Sequence, residues 1–181
     1  MSQLFGPRAD TALRLGIVLA VLGVAGGAWA WYGWKSSGAA AGRDLHVAQP
    51  VPFSHAHHVG GLGIDCRYCH QTVETAAFAG LPPTETCLNC HAQLWTTAPL
   101  LEPVRDSWRT GRRLQWNRVH DVADFVYFDH AIHLAKGIGC VSWDGRVDEM
   151  PLTARGRRLA MRDCLDCHRD PVPQVAPRER L

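Results

Sequence analysis

The sequence carries no strong excess of charge of either sign: 19 Lys and Arg against 17 Asp and Glu leave a net charge of +2 over 181 residues. That balance argues against nucleic acid or another polyanion as a partner. Little of the chain reads as regular sheet. No thioredoxin-like βαβ pattern surrounds the cysteines, which sets aside a dithiol redox fold. Methionine is scarce, with three in the whole chain. Charge is missing altogether from Leu15 to Trp34, and that gap is the first positive signal.

Those twenty uncharged residues (LGIVLAVLGVAGGAWAWYGW) match a bilayer core of about 30 Å at the helical rise, predicting a transmembrane helix over about 13–34. Trp29, Trp31, Tyr32 and Trp34 crowd its end, where amphipathic rings favour the headgroup region, and Lys35 follows as an anchor. Arg8 and Arg14 precede it and favour a cytoplasmic amino terminus. A cleaved signal peptide is the competing reading. A secretory apolar region is shorter, about 7–15 residues, and rarely ends in four aromatics, so an uncleaved signal anchor is expected. The chain then divides into an anchor segment 1–35, a flexible linker 36–49 that opens with SSGAAAG, a domain 50–175 and a short tail 176–181.

Seven cysteines are present, and six of them form three Cys-x-x-Cys-His runs: Cys66, Cys69 and His70; Cys87, Cys90 and His91; Cys164, Cys167 and His168. This is the attachment signature of a c-type haem. Two thiols one helical turn apart add to the two haem vinyl groups, and the histidine that follows becomes the proximal iron ligand. A structural zinc site competes for the first two runs, because the 17 residues between Cys69 and Cys87 fall within the gap of a zinc ribbon. A four-thiolate zinc site, however, has no need of a histidine after each pair, and all three pairs have one. Three covalently attached haems are therefore expected, in a mostly helical and irregular fold organised around them.

Of ten histidines, three close those motifs and seven lie elsewhere. His55, His58, His120, His130 and His133 are candidates for the distal positions, while His46 and His57 read as ordinary surface or core residues. Only Met150 and Met161 follow the apolar segment, so bis-histidine ligation should dominate. Thr84 is placed to cap the helix that carries the second motif. Among Arg105, Arg109, Arg112, Arg113 and Arg118, most should form a solvated face and a minority should meet haem propionates.

Phe128, His130 and His133 repeat the spacing of Phe53, His55 and His58, which indicates an internal duplication. The first copy precedes two haem motifs, so the second should also precede two. Cys164 opens one of them. The other is degenerate: Cys140 is kept, but Trp143 and Asp144 stand where cysteine and histidine belong. A fourth haem, at Cys140, is expected to have been lost.

The strings PFSHAHHVGGLGIDCRYCH, GLPPTETCLNCH, RVHDVADFVYFDHAIH, GRVDEMPL and CLDCHRDP resemble the class III small multihaem cytochromes c. They most resemble the membrane-anchored multihaem subunit of alternative complex III. The resemblance spans about Pro50 to Pro171. It implies that His55, His58 and at least one of His130 and His133 are distal ligands. It also implies a non-enzymatic electron-transfer subunit of a quinol-oxidising complex, with integral quinol-oxidising subunits, an iron–sulfur subunit and a further cytochrome c as partners. The domain would then be periplasmic on a single-pass bacterial inner-membrane protein, passing electrons to a periplasmic acceptor. Relatives usually carry more than three haems and an intact motif before Gly145, so Trp143 and Asp144 are departures. A stand-alone tetrahaem quinol dehydrogenase, and a multihaem reductase with an open iron, are the enzymatic alternatives.

Overall fold

The computed structural model describes residues 6–37, 39–40, 42 and 45–176. The linker residues Gly38, Ala41, Arg43 and Asp44 and the tail from Pro177 onward lie outside the described residues.

The chain forms two compact units that divide after Ala41. The first is one helix, α1 (Pro7–Ser36), longer at both ends than the apolar run. A proline at the first helical position suits a site whose N–H has no intrahelical partner, and an Arg14–Asp10 ion pair of 2.9 Å supports the charged first turns. At the other end Lys35 Nζ lies 5.5 Å from the Trp31 ring centre, and Trp31 packs on Trp34 at 5.5 Å. The segment Arg8–Ser36 is long and apolar enough to cross a membrane, with a mean hydropathy of 1.8. Leu19, Val24 and Trp29 are among the large apolar side chains that face outward along it.

Among its described residues, the second unit contains only short helices joined by irregular chain. In order they are a π-helical turn (Ala56–Gly61), α2 (Cys66–Cys69), α3 (Thr84–His91), a 3-10 turn (Pro99–Leu101), α4 (Glu102–Thr110), α5 (His130–Ala135), α6 (Val141–Asp144), a 3-10 turn (Val147–Glu149), α7 (Met161–Arg169) and a last 3-10 turn (Val172–Gln174). No strand occurs among the described residues, only isolated bridges between His46 and Ala154 and between Ile138 and Val175. Backbone before residue 50 already pairs with this unit: Asn117 donates through Nδ2 to the Ala48 carbonyl at 2.6 Å and through its N–H to Gln49 Oε1 at 2.9 Å.

The apolar core is small. Among the described residues, Val51, Val73, Leu101, Val104, Ile138 and Ala154 are the buried apolar side chains. Val51, Leu101 and Val104 form its centre, packed against Leu88, Leu114 and Trp116. Six small side chains are too few to hold a unit of this length by apolar burial alone. The helices that carry the Cys-x-x-Cys-His runs contain no buried residue at all.

The two copies of the duplicated pattern are clasped together. The π-helical turn of the first packs on the 3-10 turn Val147–Glu149 of the second, and the Ala56 N–H donates to the Met150 carbonyl at 3.0 Å. Gly60 is required there, since a Cβ would sit 2.5 Å from the Asp148 carbonyl oxygen. In the reverse direction the His130 N–H donates to the Ala77 carbonyl at 3.2 Å.

Candidate haem-binding site

The cysteines of each Cys-x-x-Cys-His run lie on a helix, and His70 of the first run is the residue that ends it. Asp65 caps α2, accepting from the Arg67 N–H at 2.8 Å, and one turn then carries Cys66 and Cys69. α3 carries Cys87, Cys90 and His91, and α7 carries Cys164, Cys167 and His168. All six thiols are free of disulfides and partly or fully exposed. Thr84 is not the cap that its position suggests. Pro83 takes the N-cap, and Thr84 is the first helical residue. Its hydroxyl is bonded instead to the buried Ser107 Oγ at 2.7 Å.

The histidines outside the motifs are arranged twice over in the same way. Phe53 stacks on His58 at 4.3 Å and 24° and meets His55 edge-on at 4.9 Å and 86°. Phe128 stacks on His133 at 4.3 Å and 19° and meets His130 edge-on at 4.9 Å and 88°. His58 then faces His91 of the second motif with ring centres 6.2 Å apart, and His133 faces His168 of the third at 6.1 Å. An iron between two imidazoles needs two bonds of about 2.0 Å plus about 1.1 Å from each nitrogen to its ring centre, or roughly 6.2 Å in all. Both pairs are therefore spaced to hold a six-coordinate haem iron.

The tautomers agree with that spacing. A carbonyl oxygen only accepts, so a ring nitrogen bonded to one must carry a proton, and in the neutral ring the lone pair is then on the other nitrogen. Nδ1–H donates to a main-chain carbonyl in His58 (Ser54, 2.9 Å), His70 (Gly80, 2.6 Å), His91 (Leu94, 3.2 Å), His130 (Ala77, 2.6 Å) and His133 (Asp129, 2.6 Å). Five imidazoles are thus oriented through Nδ1, the kind of outer hydrogen bond that also orients metal-ligating histidines. His55 is held through Nδ1 by Thr153 Oγ1 at 3.0 Å. Burial, together with the neighbouring His70 and His58, lowers its pKa to about 4, so it is neutral near pH 7. Thr153 and Ala77 are 76 positions apart, so each copy fixes the first histidine of the other. Sequence reasoning did not find either residue; only the duplication offset signals them.

The degenerate motif is folded like the first. Cys140 precedes the one-turn helix α6, and its thiol and that of Cys66 act on each other, which pulls the Cys66 thiol pKa down and pushes that of Cys140 up. Trp143 packs against Phe128 at 5.8 Å and His133 at 6.2 Å. Asp144 Oδ1 lies 3.6 Å from His120 Nδ1, an electrostatic contact rather than a hydrogen bond. Burial, with Arg155 and His130 nearby, holds the His120 pKa below its ordinary value against the opposing pull of Asp144.

His57 is exposed, and His46 is exposed and takes part in a backbone bridge. Arg105, Arg109 and Arg118 are engaged in ion pairs with Glu102, Asp106 and Asp121 three positions away, the pattern of a solvated face.

No protein-family model matches this chain. Over 90 residues it is 36% identical to a curated protein described as the multihaem cytochrome c subunit of menaquinone reductase from Nitratidesulfovibrio vulgaris. The match covers 49% of this chain and 43% of that protein, so the chain spans less than half the length of the relative. The relative's description as a multihaem cytochrome c is in line with the three Cys-x-x-Cys-His motifs of this chain.

Proposed function

We propose that this chain is the membrane-anchored electron-relay subunit of a quinone-active respiratory complex, carrying one c-type haem on each intact motif. The observation that carries this reading is the pair of facing imidazoles, His58 with His91 and His133 with His168, at the spacing of a bis-histidine iron. Bound there, each haem supplies a site that takes up and returns one electron without bond chemistry. The chain's own residues perform the rest. Phe53 and Phe128 lock the distal rings by stacking, main-chain carbonyls fix their tautomers, and the six thiols of the intact motifs supply the covalent links. With both axial positions of these irons filled by histidine, a small molecule finds no open coordination site, which favours a relay over a reductase.

In this reading α1 anchors the relay in a bacterial inner membrane, with the amino terminus cytoplasmic and the haem domain periplasmic. Integral quinone-reactive subunits, an iron–sulfur subunit and a further cytochrome c would assemble with it. The alternative complex III-like assignment has electrons leaving quinol for a periplasmic acceptor. The relative's description as part of a menaquinone reductase favours a second reading, with electrons flowing through the relay into the quinone pool.

The test is to purify the chain with its partners from membranes, reduce it with a menaquinol analogue, and separately supply electrons from the periplasmic side. Haem reduction by quinol that is lost when the integral subunits are removed supports the relay and its quinol-oxidising direction. Quinone reduction only when electrons enter from the periplasmic side supports the opposite direction. A preparation without haem absorbance defeats the reading.

A further inference from the structure

The two residues between the cysteines of a haem motif take no part in attachment, so their surroundings decide what they do. In the first motif Arg67 is turned back onto its own stretch of chain, donating to Asp65 through Nε at 2.9 Å and Nη2 at 2.8 Å and pairing with Glu74 at 3.4 Å. Tyr68 makes a different contact. Asn89, the residue at the same place in the second motif, donates from Nδ2 to the Tyr68 hydroxyl oxygen at 2.9 Å. The matching positions of two haem motifs, 21 residues apart, are thereby joined side chain to side chain.

The helices that carry them are held unequally. On α3, Leu88 packs against the core formed by Val51, Leu101 and Val104, and Thr84 is bonded to Ser107 of α4 at 2.7 Å. α2 is one turn long and contains no buried residue. Apolar packing of its own does not place it, so a side-chain bond to a fixed neighbour carries weight. The second copy supplies the contrast. Counting from Cys140 and Cys164, Ser142 and Asp166 stand where Tyr68 and Asn89 stand in the first copy. Among the described residues no hydrogen bond joins these two, and both line a cavity of about 180 Å³. The bond is present where both motifs of a copy are intact and missing where one is altered.

We propose that Tyr68 and Asn89 are positioning residues that hold the first and second haems at a fixed separation and so set how strongly those two haems interact. This rests on the reading of both motifs as haem sites. Two thioethers tie each macrocycle to its helix, so a bond that fixes α2 against α3 fixes one ring against the other. Reduction of one haem changes the charge beside its neighbour, and that influence falls as the distance grows. Interacting sites titrate in steps whose spacing grows with the interaction, which gives the bond a readout that folding alone would not move.

The experiment uses the full-length chain, exported from a host that attaches c-type haem and extracted in detergent, with Tyr68→Phe, Asn89→Ala and the double variant beside the native protein. Covalent haem is counted by the pyridine haemochrome, midpoint potentials are read from a spectroelectrochemical titration, and the magnetic interaction between ferric haems is read from electron paramagnetic resonance of the oxidised chain. Every variant should keep the native haem count, bring two of the midpoints closer together, leave the third unmoved and show a weaker magnetic interaction. The double variant should match either single one, because all three lose the same bond. Midpoints and resonance spectra identical to the native ones at full haem content overturn the proposal and leave the relay standing. Unequal shifts that add in the double variant overturn it too, since each side chain would then act on its own haem alone. Loss of the haem on the first motif in Tyr68→Phe also overturns it, because the bond would then serve attachment rather than spacing. A native chain with no haem defeats the relay reading as well.

Discussion

Removing the His58 imidazole tests the pairing that the structure assigns. Sequence distance suggests His70, 12 positions away, as its partner, but the structure places it opposite His91 at 6.2 Å, 33 positions away. In His58→Ala the haem on the second motif should lose its sixth ligand and become high-spin. Carbon monoxide binding should rise from none to one per chain. Phe53, which stacks on His58, carries no donor, and the adjacent His57, whose ring centre lies 5.3 Å from that of His58, should be changed to alanine in a parallel variant to exclude ligand exchange. His58→Met should keep that iron six-coordinate and raise the potential of one haem by on the order of 100 mV, about 2–3 kcal/mol for one electron. The assays are carbon monoxide difference spectra and a redox titration of the detergent-solubilised chain, with haem content measured alongside. An alanine variant with full haem content, no carbon monoxide binding and an unchanged low-spin spectrum would refute the pairing.

Three further outcomes follow from the packing and electrostatics. Gly60→Ala should destabilise the haem domain by about 1–3 kcal/mol, because the new methyl meets the Asp148 carbonyl at 2.5 Å and that contact is backbone; Gly61→Ala, with its nearest neighbour at 3.7 Å, should cost far less in the same denaturant titration. Phe128→Ala removes a ring stacked on His133 and edge-on to His130, and should lower stability by about 1–3 kcal/mol while broadening the spectrum of the haem on the third motif. The Asp65 pKa is held down to about 2 by hydrogen bonds from Arg67, so its contribution is present above about pH 4 and lost as pH falls through 2. Because the pair is half-exposed the effect is under about 1 kcal/mol, and Asp65→Asn should flatten the acid limb of a pH–stability curve by that amount.

The parts of this site that are legible in the sequence are those whose chemistry is contiguous. A thiol, two spacers, a thiol and a histidine must be adjacent for one haem to be attached, so Cys66 to His70 and its two repeats declare themselves. The duplication is legible for a related reason: Phe53, His55 and His58 act as one packed unit, and their spacing survives in Phe128, His130 and His133. The pairing of distal with proximal histidines is not legible, because it depends on how the copies fold onto their motifs. Nor are the acceptors that fix the rings, since main-chain carbonyls such as those of Ser54 and Ala77 leave no trace in residue identity. The cap expected at Thr84 does not form because its hydroxyl has a stronger claim in the buried Ser107. The near absence of sheet is foreseeable, as short turns built to present cofactor ligands leave little chain for ladders.

The carbonyl partners of the histidines bear on how such a relay can change over generations. A peptide oxygen is present whatever side chain accompanies it, so positions 54, 77 and 94 can drift without disturbing the tautomer of the ring each one holds. Heritable tuning of the haems would then fall mainly on the few positions where a side chain does that work. Thr153 beside His55 is such a place, and natural variants of the relay should differ in potential there before they differ anywhere along the carbonyl-held rings.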